Sequence, residues 1–138
     1  MFLLDTDHIT IIQRKPRSTL VARIKDRGLQ HFFVSMVSFH EQARGWNVYL
    51  HGARSDDRIL HAYRMFERIL RDFTSMQVLS FDEAALARFN ALRSSGVRIG
   101  TMDLRIAATA LSRDCTLLTG NLGDFRKVTE LRAEDWSH

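Results

Sequence analysis

Apolar residues fall into short continuous runs separated by longer stretches of helical spacing. Residues 2–4 (FLL), 32–35 (FFVS), 76–81 (MQVLSF) and 115–119 (CTLLT) are the runs. Each is brief, β-prone and bounded by polar or turn residues, the pattern of strands buried on both faces. Between them the spacing predicts helices. A short one covers residues 8–14, and Pro16 breaks it. Ser18 caps a second helix over 19–27, with Leu20, Val21, Ala22 and Ile24 as its apolar positions and Gly28 at its end. A helix after the second run carries Val37 and Glu41 on one face, with Gly45 and Trp46 marking its bend or end. Residues 56–73 form a long amphipathic helix whose stripe includes Ile59, Ala62, Ile69, Leu70 and Phe73. Asp82 caps another through residue 93, with Ala85, Leu86, Phe89 and Leu92 inward.

The stretch from residue 99 to 125 concentrates the most information. Met102, Leu104, Ile106, Ala107, Ala110 and Leu111 give helical periodicity, and a buried strand and a polar loop (Gly120, Asn121, Gly123, Asp124) follow. Residues 131–133 add an edge strand. There is no internal repeat, low-complexity segment or linker. Alternating buried strands and helices predict one α/β domain over residues 1–138 with a mostly parallel central sheet.

Composition narrows the class without naming it. The chain has 138 residues, 45% apolar and 26% charged, enough for a real core. No apolar run approaches the roughly 18 residues that span a bilayer, so no membrane partner is expected. The opening MFLLDTDH does not read as a signal peptide, since no basic segment precedes its apolar residues. A single cysteine excludes an internal disulfide and a cysteine-based zinc cluster, which suits a reducing cytosol. Cys115, within a strand, reads as inert core. The net charge of +4 permits a polyanionic partner, with arginines spread along the amphipathic helices. On residues 56–73 those arginines also fit a solvated face with helix-spaced ion pairs, and the helices around residues 37–73 could form a dimer or partner surface.

Candidate chemistry lies at the ends of the apolar segments. Asp5 and Asp7 end the first strand, and either could simply cap the next helix while the other binds a cation. Glu41 sits one turn into a helix that follows a core strand, facing the carboxyl end of a parallel sheet, where ligands collect in open α/β folds. Asp103 shares a face with Ile106, Ala107 and Ala110, and a carboxylate there is costly unless paired, protonated or bound to a cation. With Asn121 and Asp124, these make an oxygen-only donor set suited to Mg²⁺, or Mn²⁺ in its place, rather than Zn²⁺. One or two such ions could serve phosphodiester hydrolysis. No G-x-G-x-x-G, P-loop or G-x-S-x-G motif occurs, so nucleotide-cofactor and serine-hydrolase chemistry lack their usual frames. The six histidines lack metal-ligand spacing and read mostly as surface, with His8 and His40 near enough to the acids to approach a substrate.

The segments LLDTD (3–7), VSMVSFHEQARG (34–45), IGTMDLRIAATAL (99–111) and LLTGNLGDF (117–125), followed by VTELRAEDW (128–136), resemble the PIN-domain family. The likeness is in particular to the VapC-type ribonuclease toxins of bacterial toxin–antitoxin pairs. It spans almost the whole chain. It implies a three-layer α/β/α fold, Mg²⁺-dependent endoribonuclease activity, a homodimer, and a small cognate antitoxin protein; the expected substrate is a structured RNA. It matches Asp5, Glu41 and Asp103 to the family's metal-holding acids, and Asn121 to a position where many members carry a fourth acid. Asp124 matches the acid of the N-x-x-D-F-like loop, and Thr6 and Thr119 match hydroxyl positions near the site. Asp7 stands where many members have asparagine, and could restore the charge missing at Asn121 if it turns inward. Two alternatives remain. A catalytically inactive PIN-like module that binds RNA or protein is kept open by Asn121. A phosphorylated receiver-type domain lacks the expected lysine near the last strand.

Overall fold

The computed structural model describes all 138 residues, Met1 to His138. Five strands, β1 (Phe2–Leu4), β2 (Phe32–Ser35), β3 (Val78–Leu79), β4 (Thr116–Leu118) and β5 (Ala133–Glu134), form one sheet in the order β3-β2-β1-β4-β5. Every pairing is parallel. Seven helices cover it: α1 (Thr6–Arg14), α2 (Thr19–Arg27), α3 (Met36–His51), α4 (Asp56–Thr74), α5 (Glu83–Ser94), α6 (Thr101–Ser112) and the single turn α7 (Leu122–Phe125).

Strand alternation splits the core between the two faces of the sheet. Phe2, Leu4, Phe32, Val34 and Leu118 pack with Ile9, Leu20, Ile24, Ile69 and Phe73 from α1, α2 and α4. Leu3 and Leu117 point the other way, against Ile106, Ala107 and Ala110 of α6. The result is a three-layer α/β/α architecture. The chain leaves central β1 toward β2 on one side and returns as β4 on the other. This reversal opens a crevice at the carboxyl ends of β1 and β4.

Caps set the helix starts. Ser18, Ser55 and Asp82 each accept an N–H from the residue three positions on, at 3.3, 3.2 and 3.0 Å. Gly28, with φ of 106°, ends α2 as expected. Several expectations are corrected. The first helix begins at Thr6, two residues before the expected start, with Asp5 as its cap. Helix α3 does not end at Gly45 and Trp46 but continues to His51, where Trp46 packs edge-on against Tyr49 and His61 and ties α3 to α4. β3 pairs over only two residues of the six expected, and β5 lies at Ala133–Glu134 instead of 131–133. Leu70 and Leu86, expected inward, are exposed, as is Ile59 at the edge of its stripe. No helix is long and apolar enough to cross a membrane.

Candidate active site

The crevice is built from four separate parts of the chain. Asp5 follows β1 and is buried; its backbone N–H still pairs with Leu118 O (2.9 Å), so the sheet fixes its position. Its Oδ1 accepts the Thr6 N–H at 2.8 Å, the capping contact, while Oδ2 accepts from Thr119 Oγ1 at 2.8 Å. Asp5 is thus a cap and a site residue at once. Thr119, fully buried at the end of β4, also accepts the Asn121 N–H at 3.0 Å, which aims the loop after β4 toward Asp5.

Glu41, one turn into α3, is held from α1: Thr6 Oγ1 donates to its Oε1 at 2.7 Å. The Thr6 oxygen lies 2.9 Å from Ser38 Oγ, and Ser35 Oγ lies 3.4 Å from Ser38 Oγ. Ser35 and Ser38 are fully buried hydroxyls that fix Thr6 in its donating orientation. Sequence reasoning missed both; the only signal was serine at a helix N-cap with a second serine three positions on.

Asp103 lies in the first turn of α6, half-buried, with Gly100 beside it. Asp124, in the turn α7, accepts from Asn121 Nδ2 at 3.0 Å, with Lys127 Nζ 3.9 Å away. The expected polar loop is in part this helical turn. Asp7 faces the same loop: its Oδ2 accepts the Gly120 N–H at 2.8 Å. Its other oxygen contacts His8, which is fully buried and so is positioned against Asp7 instead of facing a substrate. His40 is exposed.

The acids lie near enough to act on one another's charge. Burial is the main cause that lifts the Asp5 carboxyl to about 7; Asp7 and Asp103 push it further, against the opposing hydrogen bonds from Thr119 and Thr6. Burial also raises Asp103, followed by the charges of Glu41, Asp124 and Asp7. Carboxylates from β1, α1, α3, α6 and α7 therefore repel one another across the crevice. No three of them close into a ready cation cage. The donor set is oxygen only, and its shared repulsion is what a divalent cation would offset, so the residues fit a hard dication.

An acid-lined crevice at the carboxyl edge of an all-parallel sheet lies where open α/β folds collect their ligands. The chain belongs to the PIN domain family, whose model matches residues 2–131. It is 28% identical to Ribonuclease VapC1 of Haemophilus influenzae (strain R2866) over 141 aligned positions, covering 99% of this chain and 98% of the relative. It is 31% identical to Toxin FitB of Neisseria gonorrhoeae, covering 91% of each. Among solved structures, the DNA-bound VapBC of Salmonella typhimurium superposes with a TM-score of 0.78 at 23% identity, covering 98% of this chain and 97% of the other. FitAcB of Neisseria gonorrhoeae superposes with a TM-score of 0.71 at 27% identity, covering 98% and 97%.

Proposed function

We propose that this protein is a Mg²⁺-dependent endoribonuclease, with Mn²⁺ as a substitute, and the toxin of a toxin–antitoxin pair. It acts as a single PIN-like domain over residues 1–138. The observation that carries the reading is the convergence of Asp5, Glu41, Asp103, Asp124 and Asp7 from separate parts of the chain on one crevice, where Asp7 and Asp103 raise the Asp5 carboxyl and Glu41, Asp124 and Asp7 raise that of Asp103. Relatives named as ribonucleases and a toxin, aligned nearly end to end, support it.

Asp5, Glu41 and Asp103 would hold the cation, with Asn121 and Asp124 completing its shell through water or a second ion. The cation supplies charge neutralisation at the phosphodiester and acidity toward water. The chain's own residues do the positioning. Thr119 and the Thr6 N–H orient Asp5, and Thr6 Oγ1 orients Glu41. Asp124, held by Asn121 Nδ2 at 3.0 Å, would orient the attacking water. Arg44 shares a surface cleft with Glu41, and its guanidinium can steer RNA phosphates toward the acids. The substrate is a structured RNA. The partners are a small cognate antitoxin and a second copy of the chain, as the resemblance implies, and the setting is the cytoplasm. Support for the antitoxin comes from solved neighbours that are toxin–antitoxin complexes.

The test is cleavage of total cellular RNA by the purified protein with Mg²⁺, with Mn²⁺ and with EDTA, beside Asp103→Asn. Discrete metal-dependent fragments absent from the variant are expected, and mapping their ends identifies the target. Cation binding without cleavage would instead favour a non-catalytic PIN-like binding module.

A further inference from the structure

We propose that Asp7 is a positioning residue through which the segment after β5 sets the loop at residues 120–124. The path is a directed chain of hydrogen bonds, Trp136 to His8 to Asp7 to Gly120. Its meaning for catalysis rests on the nuclease reading; its geometry does not.

Direction follows from what each group can do. The Trp136 backbone N–H lies 3.2 Å from His8 Nε2, and an N–H can only donate. Nε2 therefore presents its lone pair, and the proton of the neutral ring sits on Nδ1. Nδ1 lies 2.9 Å from Asp7 Oδ1, where an ionised carboxylate can only accept. The second Asp7 oxygen takes the Gly120 N–H at 2.8 Å. Asp135 does not compete: its Oδ1 is 3.6 Å from Nε2 and already accepts the Ser137 N–H at 2.8 Å and the Ser137 hydroxyl at 2.5 Å.

Both ends are anchored. His8 is fully buried. The Trp136 ring packs on Phe2 (5.0 Å) and Phe32 (5.7 Å), with the Arg23 guanidinium 4.1 Å from its centre. The indole Nε1 has no hydrogen-bond partner, so the side chain contributes packing while the backbone N–H makes the polar contact. At the far end a Cβ on Gly120 would lie 3.0 Å from Asp7 Oδ2, a tight contact that would push the Asp7 carboxylate by a few tenths of an ångström, so glycine lets the two approach without displacement. The next residue on that loop is Asn121, and Asp124 follows.

An asparagine at position 7 could not serve both neighbours. With its oxygen toward Gly120, its NH₂ meets His8 Nδ1, which must then shed its proton to Nε2 and face the Trp136 N–H donor to donor. With its oxygen toward His8, its NH₂ meets the Gly120 N–H. One end of the chain breaks either way.

The experiment is solution NMR on the full chain without cation, reading the His8 ring nitrogens and amide exchange at Gly120 and Trp136. In the wild type Nδ1 carries the proton and Nε2 is bare. Asp7→Asn accelerates exchange at least tenfold at one of the two amides. In His8→Gln the side-chain oxygen can still accept from Trp136, but the ring Nδ1–H that reaches Asp7 Oδ1 is gone. Gly120 then exchanges at least tenfold faster while Trp136 stays protected, and Mn²⁺-induced broadening at Asn121 and Asp124 needs a higher Mn²⁺ concentration. A proton on Nε2 overturns the proposal. So does Gly120 exchange unchanged in His8→Gln, including the case in which Asp7→Asn alone weakens Mn²⁺ binding, which would make Asp7 a direct ligand. Asp7 is partly exposed and its asparagine variant is isosteric, so that arm stands if His8→Gln does not fold. Failure to cleave RNA would count against the nuclease reading and leave these readouts untouched.

Discussion

Thr119 donates to Asp5 Oδ2 at 2.8 Å, joining the end of β4 to the acid that follows β1. The bond favours the ionised carboxylate, yet burial outweighs it and holds the Asp5 carboxyl at about 7. The buried crevice is thus arranged for a charge it does not by itself compensate. Shifts of this kind cluster at functional sites, which accords with the proposed cation site.

Stability in EDTA should therefore fall as pH rises. Asp5 has a folded value of about 7 and a reference value of 3.8, so between the two the folded chain keeps a proton that the unfolded chain has lost. Stability from this group is full below about pH 4, declines toward pH 7 and is level above it. At about 1.4 kcal/mol per pKa unit the ceiling is about 4 kcal/mol. Asp103, also raised, acts with the same sign. Denaturant unfolding at pH 5 and pH 8 checks this. Asp5→Asn should flatten most of the difference, and Thr119→Val should steepen it by removing the bond that favours ionisation.

Asp103→Asn should separate activity from folding. Asp103 is half-buried and is opposed by Glu41, Asp124 and Asp7, so neutralising it relieves repulsion. The variant should unfold at the same or higher denaturant concentration than the wild type in EDTA near pH 8. Its RNA cleavage should fall by about a hundredfold or more, the scale for losing one charge-stabilising group. Full activity in the variant would remove Asp103 from the site.

Much of this site is legible from local pattern. Asp5 and Asp103 are visible because carboxylates adjoining apolar segments demand an explanation, and the cap at Asp82 follows from spacing alone. What the sequence hides is decided by distant packing. Glycine inside a helix costs about 1 kcal/mol, which makes Gly45 look like an end. Trp46 contacts across α3 and α4 offset it. His8 looks free to approach a substrate because the groups that bury it include Trp136, 128 residues away. Ser35 and Ser38 carry no sequence signal beyond a serine at the α3 N-cap, and only the placement of Thr6 from α1 makes them part of the site.

Cys115 should be silent in the native state. It is buried at 2% exposure before β4, and burial pushes its thiol above the ordinary range, so little thiolate is available at neutral pH. Labelling by a disulfide reagent should be slow in the folded protein and fast in denaturant, rising with the unfolded fraction. Rapid native-state labelling would mean that the β1–β4 region opens locally.

Asn121→Asp should trade stability for cation affinity. Asn121 now donates from Nδ2 to Asp124 Oδ2, a bond that an aspartate cannot make. Two carboxylates would face each other there, with only Lys127, 3.9 Å from Asp124, to moderate them. Asp124 is substantially exposed, so the cost in EDTA should be modest, about 0.5 kcal/mol and smaller in high salt. With a divalent cation the sign reverses, because an added anionic oxygen raises affinity for a hard ion. Calorimetric titration with Mn²⁺ should give affinity about threefold or more above the wild type. An unchanged affinity, with the stability loss present, would place Asn121 outside the cation shell and confine its role to steering Asp124.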